Sequence, residues 1–267
     1  MTIEPTSFDR PDPATAAALA RLYDLDLAEE PGDLDLYLAL ADRAAGPILE
    51  LAVGTGRLAV PLAEAGHTVT GVDLDPAMLD RARARAKRAA GGERLTLVEA
   101  DIVGLHLPDA GRYTLAFIAL NSLLILPTRN AQRAALRALA DHLAPGGLAV
   151  VDVWLPDADD LGRFDGRIML EWPRLDPETG AIVTKADSAQ HDAASATVTL
   201  TTIFEEGGQG GVTRRWVRRD RLRLVSADEL RGFAEEAGLI VEQLAGGYDM
   251  GPMGPGSERA ILLAVKP

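Results

Sequence analysis

The chain alternates between short apolar segments and longer segments in which apolar residues recur every three or four positions. The short segments are typical of buried strands and the longer ones of amphipathic helices. Strands are predicted at residues 47–53, 67–72, 94–98, 113–120, 148–153, 239–244 and 260–265, and helices at 14–27, 34–45, 55–65, 128–143 and 226–237. Strands that alternate with helices predict an α/β fold with a largely parallel sheet.

A different pattern occupies residues 156–225. Strands are predicted at 168–172, 181–186, 196–204 and 212–225, separated by turns that include the glycine-rich residues 206–211. We therefore expect an antiparallel β insertion that forms a lid over the carboxyl ends of the parallel strands. The predicted organisation is an N-terminal helical cap (1–46), a core (47–155 and 226–267) and this insertion.

A glycine turn follows the first predicted strand. Gly54 and Gly56 carry no Cβ, so the backbone can turn tightly and approach a ligand. Asp73 closes the second strand 19 residues after Gly54, close to the roughly 20 expected when an acid binds the ribose of an adenosine cofactor. The unit therefore predicts an adenosine-containing cofactor.

Two cofactors fit this unit. Residues 54–59 match the relaxed dinucleotide pattern, which would indicate an NAD-dependent oxidoreductase. Glu50 favours another cofactor, because an acid inside the strand is awkward beside a pyrophosphate but useful beside a cationic amino group. Residues 50–56 resemble motif I of the class I S-adenosylmethionine-dependent methyltransferases, with Ala52 in place of the usual first glycine. A non-catalytic cofactor-binding protein is a further alternative.

The resemblance continues along residues 48–153 and 226–265. Asp101 and Ile102 are similar to the family's third motif, Asn121 lies at the fourth, and residues 143–147 match the family's turn before the fifth strand. The resemblance implies a Rossmann-like seven-stranded fold with a reversed terminal hairpin, and S-adenosyl-L-methionine as the cofactor. The implied cofactor-binding residues are Tyr23, Glu50, Ala52, Gly54, Gly56, Arg57, Asp73, Leu74, Met78, Asp101, Ile102 and Leu120.

Composition limits the class of partner. The chain has 267 residues, a formal net charge of −13 and no cysteine. The negative charge argues against nucleic acid, which binds mainly to basic surfaces. The lack of cysteine excludes disulfides and cysteine zinc sites, and we expect no metal. With no long apolar run and no signal peptide, the expectation is a cytoplasmic monomer or homodimer that acts on a small molecule.

Arginines are concentrated in the last strand of the insertion. Arg219 and Arg221 share one face of this strand with Arg215, while Arg214 and Arg218 share the other face with Trp216. One interpretation is an exposed strand whose arginines pair with acids such as Glu205 and Glu206. The other is that Arg219 and Arg221, with Trp172, bind an anionic acceptor, for which phosphate is the best geometric match.

Catalysis by such an enzyme depends chiefly on holding the acceptor in line with the departing sulfur. The resemblance places Asn121 beside the transferred methyl. His191 is a candidate base and Tyr248 a candidate substrate contact in the terminal hairpin loop. A turn histidine and a flexible hairpin loop are the alternatives. The sequence does not specify whether carbon, nitrogen or oxygen is methylated.

Overall fold

The computed structural model describes residues 11–29, 31–207 and 213–267. The helices in these ranges are α1 (Pro13–Asp26), α2 (Leu34–Ala44), α3 (Ala59–Glu64), α4 (Pro76–Ala86), α5 (Arg129–His142), α6 (Ala158–Arg163) and α7 (Ala227–Glu236). The strands are β1 (Ile48–Leu51), β2 (Val69–Asp73), β3 (Leu95–Glu99), β4 (Tyr113–Ile118), β5 (Leu143–Trp154), β6 (Asp165–Leu175), β7 (Ile182–Asp192), β8 (Thr197–Gly207), β9 (Thr213–Arg223), β10 (Ile240–Ala245) and β11 (Arg259–Val265). The predicted glycine-rich turn at 206–211 and the start of its following strand at Val212 fall largely outside the described residues.

The core is a seven-stranded sheet in the order β10-β11-β5-β4-β1-β2-β3. Strands β1 to β5 pair in parallel, and β11 pairs antiparallel with both β5 and β10. The carboxyl ends of the parallel strands therefore meet along one edge, where binding sites of such sheets form. This confirms the predicted α/β fold with a reversed terminal hairpin.

The sheet is buried on both faces. Along β1, Ile48 packs into one apolar cluster, with α2 and α3, while Leu49 and Leu51 pack into another, with α5 and α7. Successive side chains of a strand point to opposite faces. Glu50 therefore points to the same side as Ile48, among apolar neighbours, and this orientation sets its electrostatics.

The first core helix begins later than its sequence pattern predicts. A helix was expected from residue 55, but α3 begins at Ala59. Gly54 and Gly56 have φ angles of 55° and 76°, which are left-handed and incompatible with a helix. The predicted turn at residues 143–147 also differs, because these residues extend β5 through an irregular register with β4.

The insertion forms a separate four-stranded antiparallel sheet in the order β6-β7-β8-β9. All four of its strands were predicted, although β6, β7 and β8 are longer than the apolar patterns suggested and β9 ends before the predicted residue 225. The short helix α6 before it was not predicted. Its capping box between Asp157 and Asp160 is a polar signature without an apolar repeat, and it lies inside a region read as β.

Helix α1 packs on the inner face of the four-stranded sheet. Leu22 and Leu25 of α1 form an apolar cluster with Val183 and Phe204 of the sheet. The cluster is closed by polar contacts, because Lys185 Nζ lies 2.8 Å from an oxygen of Asp26 at the end of α1. The α1 helix is thereby fixed between the insertion and the core, against which it contacts α4.

Gln132 of α5 joins the two sheets. Its side chain is fully buried, and its Nε2 donates to the carbonyl oxygens of Leu123 and Arg223. Its Oε1 accepts a hydrogen bond of 2.6 Å from Arg223, which also binds Glu229 of α7. The C-terminal end of β9 is therefore anchored to the helices of the core.

The helices of the described ranges include none that is both long and apolar enough to cross a membrane. This finding agrees with the absence of a long apolar run in the sequence.

Replacing Gln132 with leucine should destabilise the protein by about 1–3 kcal/mol, because it leaves buried carbonyl groups without a donor. Urea unfolding of the variant measures this change. Gln190→Leu is the matched control, because Gln190 is exposed on β7 and should change stability by less than about 0.5 kcal/mol. Equal effects of the two substitutions would contradict the bridging role of Gln132.

Candidate functional site

The glycine turn lies at the carboxyl end of β1 and is held by Asp73. One carboxylate oxygen of Asp73 accepts a 2.7 Å hydrogen bond from the backbone of Gly54, and the other accepts one from Asp75. Each oxygen keeps a further lone pair. Burial raises the pKa of Asp73 more than these hydrogen bonds lower it. Asp73 thus has the position expected of a ribose ligand.

Ala52 has a φ angle of 61°, in the left-handed region. This conformation explains why a glycine is usual at this motif position, since only glycine adopts it without steric cost. The alanine retains the turn at the expense of some backbone strain.

Glu50 is a buried carboxylate beneath this turn. Its side chain lies in the interior, and its Oε2 has no hydrogen-bond partner among the described residues. Burial raises the pKa of Glu50 to about 8, although the charge of Arg57 opposes this rise. A buried acceptor without a donor is costly, and a cationic ligand group beside it would remove that cost.

Arg57 is held by Asp33, an acid that was not predicted from the sequence to be a site residue. Its guanidinium donates two hydrogen bonds, of 2.5 and 2.7 Å, to the two oxygens of Asp33. Asp33 is completely buried at the start of α2. In the sequence it resembles an ordinary helix-capping residue, so only the fold reveals this pair.

Tyr23 of α1 covers the glycine turn. A Cβ built on Gly54 would lie 4.0 Å from the Tyr23 hydroxyl. Burial raises the pKa of Tyr23, and the nearby charges of Arg57 and Arg218 offset part of this rise. Tyr23 therefore lies beside the expected cofactor residues.

The expected adenine and ribose residues lie at the ends of β2 and β3. Leu74 is 48% exposed directly after β2, which is unusual for a large apolar side chain and suits contact with a ligand. Asp101 is exposed and accepts a hydrogen bond from the backbone of Val103, whereas Ile102 is buried. Met78 on α4 is half-buried.

A polar network joins β4, β5 and the terminal hairpin. Asp152 of β5 is fully buried, and its carboxylate accepts hydrogen bonds from the Leu120 backbone, the Tyr248 hydroxyl and the Arg259 guanidinium. Asn121 accepts from the Trp154 backbone and from Arg259. The structure thus brings together Asn121 and Tyr248, which were predicted, with Asp152 and Arg259, which were not.

Asp152 and Arg259 carry little signal in the sequence that would mark them as site residues. Asp152 interrupts an apolar strand, as Glu50 does, and this single irregularity could have marked it. Arg259 lies at the start of the last strand, where a cation is unremarkable. Their pairing depends on β5 and β11 being neighbours.

The arginines of β9 point to both faces. Arg219 and Arg221 lie on the exposed outer face, where Arg215 pairs with Glu205. Arg218 lies on the partly buried inner face, 2.8 Å from Asp220 and on the side of α1. Arg218 is therefore on the face of the sheet that packs against α1, whereas Arg219 and Arg221 are on the opposite face.

Trp172 and His191 lie far apart on the insertion. The Trp172 indole donates to Asp26 and packs with the apolar cluster between α1 and the sheet. His191 lies near the other end of its strand, opposite Val198 and beside Phe164. Phe164 packs on Trp154, whose backbone binds Asn121, so His191 is on the side of the polar network.

A cavity of about 500 Å³ opens in the terminal hairpin loop beside this network. Its wall includes Arg259 and Asp249 together with several glycines of the loop. Within the described ranges, His, Asp and Glu side chains form no cluster of three or more suited to a metal ion.

The sequence of residues 48–147 matches a family model described as a methyltransferase domain. This segment includes the first four parallel strands and the glycine turn. The Demethylmenaquinone methyltransferase of Thermus thermophilus is 39% identical over 164 residues, which are 61% of this chain and 69% of that protein.

A second relative matches a longer part of the chain. The dTDP-3-amino-3,4,6-trideoxy-alpha-D-glucopyranose N,N-dimethyltransferase of Streptomyces venezuelae is 28% identical over 231 residues, 72% of this chain and 94% of that protein. This match covers a larger part of the chain than the family model does.

Among solved structures, the CcbJ methyltransferase from Streptomyces caelestis superposes with a TM-score of 0.72 at 27% identity. The match covers 99% of this chain and 100% of that one. The choice of S-adenosylmethionine over NAD is thereby confirmed. With its seven-stranded sheet, its glycine turn and these relatives, the chain belongs to the class I S-adenosylmethionine-dependent methyltransferases.

Proposed function

We propose that this methyltransferase acts on a small molecule that bears an anionic group, of the class of nucleotide-linked amino sugars. The observation that carries the proposal is the partly buried, inner-face position of Arg218 on β9, a strand that contacts the helix α1 on which Tyr23 lies. An arginine there can bind a phosphate of an acceptor next to the cofactor. The Streptomyces venezuelae relative, matched over most of its length, is named for such an amino sugar.

The cofactor residues fit S-adenosylmethionine, which when bound supplies an electrophilic methyl group on a sulfonium. We propose that the unpartnered oxygen of Glu50 accepts from the amino group of the methionine portion. Asp73 would accept from the ribose hydroxyls, with Leu74 and Met78 beside the adenosine. Arg57, fixed by Asp33, and Tyr23 would lie at the carboxylate end. Ala52, Gly54 and Gly56 would provide the close backbone approach, Leu120 would flank the methionine, and Asp101 and Ile102 would contact the adenine.

The acceptor would lie between the polar network and the four-stranded sheet, which would act as a lid, with residues 1–46 as a cap. Asn121 and Tyr248 would position the acceptor for in-line attack. These two residues would hold the attacking atom of the acceptor in line with the methyl group that the bound cofactor supplies, and the acceptor would lose a proton as it takes the methyl group. Proximity and orientation supply most of the acceleration. If a base is used, His191 is the candidate from the insertion.

Asp73→Ala should abolish binding of S-adenosylhomocysteine with the fold retained, because both ribose hydroxyls lose their acceptor. Titration calorimetry measures the affinity, and circular dichroism checks the fold. Glu99→Ala is the matched control, since Glu99 pairs with Asp73 in register but is exposed at the end of β3. If the affinity of the Asp73 variant for S-adenosylhomocysteine is unchanged, Asp73 does not bind the ribose.

Binding of S-adenosylhomocysteine at neutral pH should release a proton from Glu50. The free carboxyl has a pKa of about 8 and is mostly protonated below it, whereas the cationic amino group of the ligand favours the carboxylate. Affinity should therefore rise with pH and level off above about 8. Calorimetry in buffers of different ionisation enthalpy counts the proton. Glu50→Gln should remove the release, and its persistence in that variant would contradict the assignment.

Arg218→Gln should raise the KM for a phosphate-bearing acceptor while the affinity for S-adenosylhomocysteine stays unchanged. The reason is the loss of a charged, bidentate donor on the inner face. Steady-state kinetics with nucleotide-linked amino sugars test it. Arg219→Gln and Arg221→Gln are the matched controls on the outer face. A rise in KM for these two variants alone would restore the assignment made from the sequence.

A further inference from the structure

We propose that Asp152 is a positioning residue that fixes the side chain of Asn121 so that its amide N–H groups donate to an oxygen of the acceptor molecule. This inference rests on the proposed function and specifies how the same site holds its acceptor. Asn121 then acts as a hydrogen-bond donor toward the acceptor molecule, and Asp152 and Arg259 hold its side chain in that orientation.

The orientation of the Asn121 amide follows from its two neighbours. The Trp154 backbone N–H lies 2.6 Å from Oδ1, and Nη2 of Arg259 lies 3.3 Å from the same atom. Both neighbours are donors, and an amide nitrogen could accept from neither. Oδ1 must therefore face them. The amide nitrogen makes no hydrogen bond within the described residues and is not buried, so its N–H groups remain available to a ligand.

Asp152 controls both the backbone and the side chain of this segment. Leu120 and Asn121 have φ angles of 46° and 68°, a left-handed conformation that is unfavourable for leucine and that asparagine adopts more readily. The Asp152 side chain accepts from the Leu120 backbone at 3.2 Å, and the Asp152 carbonyl accepts from the Asn121 backbone at 3.1 Å. These contacts hold two consecutive left-handed residues, of which Leu120 is strained, and such strain is common at functional sites.

The same carboxylate holds Arg259, which completes the orientation. Nε and Nη2 of Arg259 lie 2.8 and 2.7 Å from Oδ1 of Asp152. The guanidinium also stacks 5.0 Å from the ring centroid of Tyr248, whose hydroxyl donates to Asp152. With its Nε–Nη2 edge on Asp152 and its face on Tyr248, the Arg259 guanidinium is held beside Asn121. Because Asp152 lies on a buried strand, it holds Arg259 and Asn121 in fixed positions relative to the core.

The side-chain amide of Asn121 faces the molecule that is methylated, and this orientation limits the role that Asn121 can have in the reaction. The N–H groups of Asn121 can bind a hydroxyl or phosphate oxygen next to the reacting atom, but they cannot remove a proton from it. Asn121 therefore orients the acceptor and does not act as a base. A carboxylate at this position would present two oxygens that only accept hydrogen bonds. It would therefore repel a phosphate oxygen of the molecule that is methylated.

The test compares N121D, D152N and the control N130D, which adds the same charge at an exposed asparagine of α5. N121D keeps an oxygen for Trp154 and Arg259 and changes only the outward-facing group. We expect unchanged affinity for S-adenosylhomocysteine and a loss of kcat/KM of about a hundredfold, the size expected of a misplaced acceptor. D152N should lose a comparable factor, and the double variant no more than either single one.

A structural readout separates positioning from simple stabilisation. The side-chain amide resonances of Asn121, assigned by their loss in N121D, should shift in D152N and stay in place in N130D. Where D152N does not fold, R259K keeps a cation beside Asp152 but loses the second donor to Asn121, and should shift the same resonances.

An unchanged kcat/KM in N121D, or unmoved resonances in folded D152N and R259K, would overturn the proposal. Wild-type protein that binds S-adenosylhomocysteine but methylates none of the phosphate-bearing acceptors would instead contradict the proposed function. In that case the resonance shifts still decide whether Asp152 positions Asn121.

Discussion

The constraint on which the site depends is the burial of carboxylates at the carboxyl ends of the parallel strands. Asp33, Glu50 and Asp152 are all removed from solvent, where an unpaired charge is costly. Arg57 neutralises Asp33 and Arg259 neutralises Asp152. Glu50 has no such ion pair among the described residues, and its raised pKa reflects this. Asp33 and Asp152 are thus each paired with an arginine, whereas Glu50 lacks a cationic partner. A cationic group of a ligand would fit beside Glu50.

The seven-stranded sheet and the four-stranded sheet differ in how their faces are buried. The seven-stranded sheet supplies fixed backbone at Gly54, Asp73 and Asn121, because its strands are buried on both faces. The four-stranded sheet is joined to it through α1 and Gln132, and presents one face to the core and one to solvent.

Local signals predicted most of the fold and the cofactor part of the site. Apolar periodicity predicted the strands of both sheets, and the spacing of Gly54 and Asp73 placed them in one βαβ unit, where the structure adds a hydrogen bond between them. Helix α3 was predicted too long because positive φ angles at two glycines cannot be read from an apolar repeat. Arg219 and Arg221 were favoured from an arginine-rich strand whose two faces are equivalent in sequence, and the structure places Arg218 on the inner one.

The sequence by itself determined the α/β architecture, the glycine turn and the class of cofactor, because these depend on residues close together in the chain. Only the tertiary structure decided which polar groups meet around the acceptor. Asn121, Asp152 and Arg259 are brought together by the neighbouring positions of β4, β5 and β11. Hydrogen bonds between residues so distant in the chain leave no periodic pattern, and they form only after the strands have paired.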